Sequence, residues 1–185
     1  MLQPNKILVI RFSSLGDLIL TSPIFRELRR IFPGANLNLL TSVGFGDVLD
    51  NNPHLDRIIK HPRKENFEQL NQLIEELQAE DFDLIYDAHR SIRSRWIVSR
   101  LTAFGMKRKP AVWKINKRTL NRKLLIHLGW NRLQQGLSQR EQWLLPLKQH
   151  APHGLDASTE LFPDQEDTNL IAVSYTHLTL PTSPH

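Results

Sequence analysis

The chain has 185 residues, 40% of them hydrophobic, enough for a packed domain and too many for a wholly disordered chain. It has no cysteine, which excludes disulfides and thiolate metal sites and fits a cytoplasmic protein, and no apolar run nears the ~20 residues that cross a bilayer. The net charge of +5 is unevenly spread: no acidic residue lies between Asp87 and Glu141, where 14 of the 24 Lys and Arg residues fall, and such a segment implies an anionic partner.

With no secretory hydrophobic segment ahead of it, the apolar, β-branched run Ile7 to Ile10 reads as a strand buried on both faces. A polar turn, Ser13-Ser14-Leu15-Gly16-Asp17, leads into an amphipathic run from Leu18 to about Ile31 that predicts a helix. In that turn Gly16 frees the backbone, and Ser13 or Ser14 can accept hydrogen bonds from the helix's first N–H groups. Leu37 to Leu40 predicts a second buried strand. The Gly44-x-Gly46 loop after it lacks the third glycine of a dinucleotide fingerprint and reads as a turn. Leu55 to Lys60 is a short β-like run, broken by His61-Pro62-Arg63-Lys64. Phe67, Leu70, Leu73, Ile74 and Leu77 then repeat at helical spacing through Glu80. Asp83 to Asp87 predicts the fourth strand, and a helix follows to about Phe104.

This alternation predicts an α/β fold, a Rossmann-like parallel sheet with helices on both faces and right-handed crossovers. Lys107 to Val112 is the expected fifth strand, held near an edge by Pro110, and Trp113 to Leu128 the expected basic helix, capped by Gly129. A weaker helical pattern runs from Asn131 to Gln149. The expected organisation is one domain over residues 1–150, a linker over 151–168, and over 169–185 the start of a second domain. Within that last part Asn169 to Val173 resembles a new strand, whereas Ser174 to His185 resembles translated sequencing-adapter read-through and is expected to be non-native.

In such sheets ligands bind outside the carboxyl ends of the strands, which puts the Ser13–Asp17 turn beside a substrate. There Asp17 is either a helix-terminus acid or a base aimed into a cleft. The histidines are scattered without metal-ligand spacing, so neither a metal nor a cofactor is expected.

Arg11-Phe-Ser-Ser-Leu-Gly-Asp17 followed by Thr21-Ser22-Pro23 resembles the amino-terminal signature of glycosyltransferase family 9, which contains the lipopolysaccharide heptosyltransferases. Asn52-Pro-His-Leu-Asp56, Phe82 to Ser94 and the basic Trp113 to Arg122 are similar to later segments of that family in order and spacing. The resemblance implies the amino-terminal half of a GT-B fold, with two Rossmann-like domains facing across a cleft. This half would hold the phosphorylated lipopolysaccharide core acceptor, and the other half an ADP-activated sugar donor. Transfer would invert the anomeric centre without a metal, at the cytoplasmic face of the inner membrane, with peripheral contact to anionic lipid.

By motif match the general base falls on Asp17. Ser13, Ser14 and Gly16 would shape the loop and offer backbone N–H groups to substrate oxygens. Arg93, Arg63 and Lys64 would meet acceptor phosphates, a task suited to the planar guanidinium fork. Asp87 would orient such an arginine or the acceptor, or else cap the next helix. His89 and Arg90 depart from the glutamine-glycine pair of many heptosyltransferases. Without a donor domain the chain is expected to be inactive alone. The alternative is a non-catalytic basic module for nucleotide or nucleic acid; the lack of a full phosphate-binding glycine motif and of an aromatic platform for bases speaks against nucleic acid.

Overall fold

The computed structural model describes residues 3–64, 66–103, 109–115 and 137–163. Its strands are β1 (Lys6–Ile10), β2 (Asn36–Ser42), β3 (Arg57–His61), β4 (Leu84–Asp87) and β5 (Ala111–Lys114). Its helices are α1 (Leu15–Ile19), α2 (Ser22–Ile31), α3 (Phe67–Ala79), α4 (Ile92–Leu101) and α5 (Gln139–Leu144), with 3₁₀ turns at Gly46–Leu49 and Leu145–His150. All strand pairs are parallel and the order is β3-β2-β1-β4-β5. The chain therefore builds outward from β1 to β3, returns to the other side of β1, and reverses direction between β1 and β4. Ile10 sits in register with both Leu40 and Asp87, so β1 and β4 end level while β2 runs two residues further, to Ser42.

Alternation along β1 feeds two cores. Ile7 and Val9 pack with Phe25 and Leu28 of α2 and with Trp143 and Leu144 of α5; Leu8 and Ile10 pack with Leu73, Ile74 and Leu77 of α3 and with Ile97 and Leu101 of α4. A strand buried on both faces has no polar side to show, which is why its sequence reads as a continuous apolar run. Three of the covering helices start with reciprocal caps: Asn66 with Gln69 on α3, Ser91 with Ser94 on α4, and Ser138 with Glu141 on α5. In the loop after β2, Gly44 takes φ +83°, and a Cβ at Gly46 would come within 2.9 Å of the Lys60 side chain, so both glycines serve the turn.

Several sequence expectations are corrected. The helix expected from Leu18 to Ile31 starts at Leu15 and breaks between Ile19 and Ser22. Pro23 lacks the N–H that a continuous helix would need there, and the Thr21 hydroxyl donates to the Asp17 carbonyl at 2.6 Å across the break. Gly16 consequently lies inside α1 and makes no turn, while Ser14 occupies the N-cap position without a side-chain capping bond. Trp113 belongs to β5 instead of opening a helix. Its ring stacks on His150 at 4.6 Å and meets the edge of Tyr86 at 6.3 Å, contacts that long-range packing alone supplies.

Residues 151–163 carry no helix or strand, and they are bound to α2. Arg26 pairs with Glu160 and, at 3.0 Å, with Asp156; the Glu160 N–H donates to the Ser22 hydroxyl at 2.9 Å. The rest of the expected basic helix from Trp113, the strand from Asn169 and the tail from Ser174 lie outside the described residues.

Candidate functional site

The reversal of strand order opens a crevice between the carboxyl ends of β1 and β4, the position where open α/β sheets take their ligands. Two loops border it: Arg11 to Ser14 leading into α1, and Ala88 to Ser91 leading into α4. Arg11 stitches them together. Its backbone N–H extends the ladder to the Leu40 carbonyl at 2.9 Å, and its side chain folds inward until the residue is only 3% exposed. One guanidinium nitrogen donates to the Ala88 carbonyl and another meets the Asp17 carboxylate, each at 2.5 Å, while the guanidinium carbon lies 4.7 Å from the centre of the Trp143 ring. Burial pushes the Arg11 guanidinium below its ordinary range, opposed by the charge and hydrogen bond of Asp17 and the charge of Asp87.

Asp17 stands in the first turn of α1 with its side chain 35% exposed. One carboxylate oxygen is anchored by Arg11, and the group still opens to solvent at the mouth of the crevice. Such a carboxylate is fixed in direction and accessible to an incoming hydroxyl, two requirements of a general base. Ser13, Ser14 and Gly16 are partly or fully exposed on the same rim. Asp87 is different. Expected either to orient an arginine or the acceptor or to cap the next helix, it is 1% exposed, and its carboxylate takes the N–H groups of His89 and Arg90 at 3.1 and 2.7 Å and the Ser94 hydroxyl at 3.2 Å. Those bonds close the β4–α4 turn, so Asp87 shapes the loop from beneath and does not line the crevice. Arg90, in that turn, takes φ +49°, the left-handed region that glycine enters without cost. Its guanidinium reaches the Ile115 carbonyl at 3.1 Å and ties the turn to the end of β5.

Arg63 and Lys64, adjacent in sequence, and the distant Arg93 line one open groove of about 710 Å³ between α3 and α4. Arg93 donates to the Pro62 carbonyl at 3.1 Å and lies 4.0 Å over the Phe12 ring; the opposite contact of Phe12 is the edge of His89 at 5.6 Å. Phe12 thereby connects the groove to the Arg11–Asp17 crevice. The structure thus assembles the expected residues in two neighbouring sets, Asp17 with the Ser13–Gly16 rim and the three cations in the groove, and leaves Asp87 buried behind them. Arg11 and Trp143 went unassigned from the sequence. A cation directly after an apolar strand run was the available signal for Arg11; Trp143, distant in the chain, left none. Among the described residues no group of three His, Cys, Asp or Glu side chains is placed to hold a metal ion, and no helix is long and apolar enough to cross a membrane.

No protein-family model matches the sequence. Among curated proteins, the chain is 26% identical over 166 residues to lipopolysaccharide heptosyltransferase 1 of Pseudomonas aeruginosa, an alignment covering 82% of this chain and 46% of that protein. It is 28% identical over 111 residues to lipopolysaccharide heptosyltransferase 1 of Escherichia coli K12, covering 55% of this chain and 34% of that protein. The chain thus spans no more than about half the length of these relatives. Among solved structures, a glycosyl transferase family 9 protein of Veillonella parvula superposes with a TM-score of 0.68 at 19% identity, over 97% of this chain and 52% of that one. The ADP-heptose lipopolysaccharide heptosyltransferase II of E. coli does so with a TM-score of 0.59 at 17% identity, over 96% and 51%. E. coli heptosyltransferase WaaC with ADP gives 0.54 at 20% identity, over 91% and 53%. These structural likenesses share the parallel α/β fold described above, and in sequence the chain is similar to part of the lipopolysaccharide heptosyltransferases.

Proposed function

We propose that this chain forms the acceptor half of an inverting glycosyltransferase, with Asp17 as general base. The observation that carries the reading is the Asp17 carboxylate, aimed by a buried arginine at the mouth of the strand-reversal crevice. In the transfer, an acceptor hydroxyl gives its proton to Asp17 while its oxygen bonds to the anomeric carbon of the donor sugar. The bond from that carbon to the nucleotide phosphate breaks, and the nucleoside diphosphate leaves with the electron pair. A sugar hydroxyl is a poor nucleophile at neutral pH, so proton removal during attack is what the carboxylate supplies.

Arg93, packed on Phe12 beside the crevice, holds a phosphate group of a lipid-linked saccharide acceptor, such as the lipopolysaccharide core, with Arg63 and Lys64 adding positive field from the far side of the groove. The names of the sequence relatives support that acceptor, and structural neighbours with ADP and with ADP-2-deoxy-2-fluoro heptose support a nucleotide-sugar donor. The donor would be held by a second half beyond these residues, so the 185 residues alone bind acceptor without turnover. The protein works at the cytoplasmic side of the inner membrane, in peripheral contact with anionic lipid. The test is release of ADP from ADP-heptose in the presence of a phosphorylated core acceptor, with the chain extended through its natural reading frame past Val173. A hundredfold or greater loss in Asp17→Ala with acceptor affinity retained supports the assignment; equal rates for the two proteins remove Asp17 from the chemistry.

A further inference from the structure

The groove between α3 and α4 carries more apolar surface than phosphate recognition requires. Both helices begin at this edge, and each has a large apolar residue at its first position: Phe67 is 67% exposed and Ile92 89% exposed. Trp96, one turn after Ile92, is 42% exposed, and its ring lies 6.5 Å from that of Phe67. These three account for three of the eight large hydrophobic side chains exposed on the described surface, and all three line the one groove. Singly exposed apolar residues need no explanation, but a cluster of the largest ones beside a ring of charge marks a contact surface.

Among the described residues that line it, the charge has one sign. Arg63, Lys64 and Arg93 line the groove, and no carboxylate does so among the described residues. Arg63 lies within 6.0 Å of the Phe45 ring, and Lys64 is exposed. Apolar tips with an interfacial tryptophan in the middle and cations at the margin are what an anionic bilayer surface accepts: the tips enter the headgroup–acyl boundary and the cations meet lipid phosphates. A protein partner of ordinary composition would be expected to answer the cations with carboxylates and to cover the apolar tips with a shaped pocket. A bilayer fits an open, shallow groove without one.

We infer that this groove is the surface by which the chain docks on an anionic phospholipid bilayer, with Phe67, Ile92 and Trp96 inserted and Arg63 and Lys64 against the headgroups. The inference rests on the membrane contact proposed above and assigns it a face. Because Phe12 joins the groove to the crevice, docking there sets the mouth holding Asp17 beside the membrane surface, where a lipid-linked acceptor presents its saccharide.

The test is co-sedimentation of the 185-residue chain with phosphatidylcholine vesicles, with and without 30% phosphatidylglycerol, comparing wild type with Phe67→Ser/Ile92→Ser/Trp96→Ser and with Arg63→Gln/Lys64→Gln. Thermal unfolding of each variant checks that the fold is kept, as substitution at such exposed positions should allow. The expected result is wild-type binding that needs the anionic lipid, at least a tenfold loss in the triple serine variant, and a loss in the glutamine variant that added salt reproduces. Undiminished binding of the folded serine variant overturns the inference while leaving membrane contact standing through another face. Absence of wild-type binding to either vesicle overturns both. Self-association of wild type, absent from the serine variant and unaffected by lipid, assigns the groove to a second copy of the chain and also overturns the inference.

Discussion

The Arg11–Asp17 pair should be asymmetric: neutralising the exposed acid should cost more stability than removing the buried base. The Arg11 side chain is 4% exposed and that of Asp17 35% exposed. In Asp17→Asn the guanidinium stays out of water with its closest counter-charge gone. Breaking a buried pair in this way costs about 3–5 kcal/mol in general. Asparagine can still accept from Arg11, and Asp87 still contributes its field, which brings the expected cost to about 2–3 kcal/mol. In Arg11→Met a chain of similar reach fills the slot against Trp143, Asp17 takes up water, and the desolvation of a guanidinium is removed. What is lost is the bond to the Ala88 carbonyl, and the net cost should be about 1 kcal/mol or less. For a chain of this size 1 kcal/mol corresponds to about 2–4 °C in Tm, so the two variants should melt roughly 2–8 °C apart, Asp17→Asn lower. Circular dichroism melts at pH 7 decide it. If Arg11→Met melts at or below Asp17→Asn, the pair does not exist to neutralise a buried charge, and the reasoning fails.

Two further outcomes follow from the packing and the charges. The Tyr86 hydroxyl is buried and donates to the Trp143 carbonyl, so Tyr86→Phe leaves that carbonyl without its partner and should cost about 1–2 kcal/mol in urea unfolding; an unchanged midpoint would mean that water reaches the carbonyl. The carboxyl of Glu80 is held below its ordinary value of 4.5 by hydrogen bonds from Lys6 and Arg57. A depressed carboxylate contributes stability that is present above the unfolded value and lost as pH falls through the folded one, so stability should decline below about pH 4.5 and Glu80→Gln should flatten part of that limb. Equal pH slopes for wild type and variant between pH 3 and 5 would deny the pair any role.

The strands were legible because four of them carry short apolar runs at sheet spacing, and the amphipathic period of α3 needs only local sequence to be seen. The α1–α2 break was less visible. The apolar positions from Leu18 to Ile31 keep a helical period across it, and Pro23, which ends that continuity, is equally compatible with the first turn of a helix. Within the candidate site, Asp17 was singled out by the motif match and by its place after the first strand, and the three groove cations by residue type. Asp87 was left open between orienting a partner and capping the next helix because a carboxylate at a strand's carboxyl end serves either, and burial decides between the uses. Arg11 was hidden for the reverse reason: nothing local makes an arginine turn inward, and what buries it comes from the far side of the chain. Arg90 takes a positive φ, a backbone demand that nothing in its own side chain announces.

Trp143 has two attachments, its carbonyl to Tyr86 in the core and its ring to Arg11 at the crevice. It sits on a helix of only six residues, too short to persist on its own. Any breathing motion that lifts this helix from the sheet therefore strips the cover from Arg11 at the same moment, lets water solvate the guanidinium, and releases the tether on Asp17. Local unfolding of α5 and loss of aim of the acid are one equilibrium, so amide exchange in Gln142 to Leu144 sets a ceiling on how long the crevice keeps its working geometry.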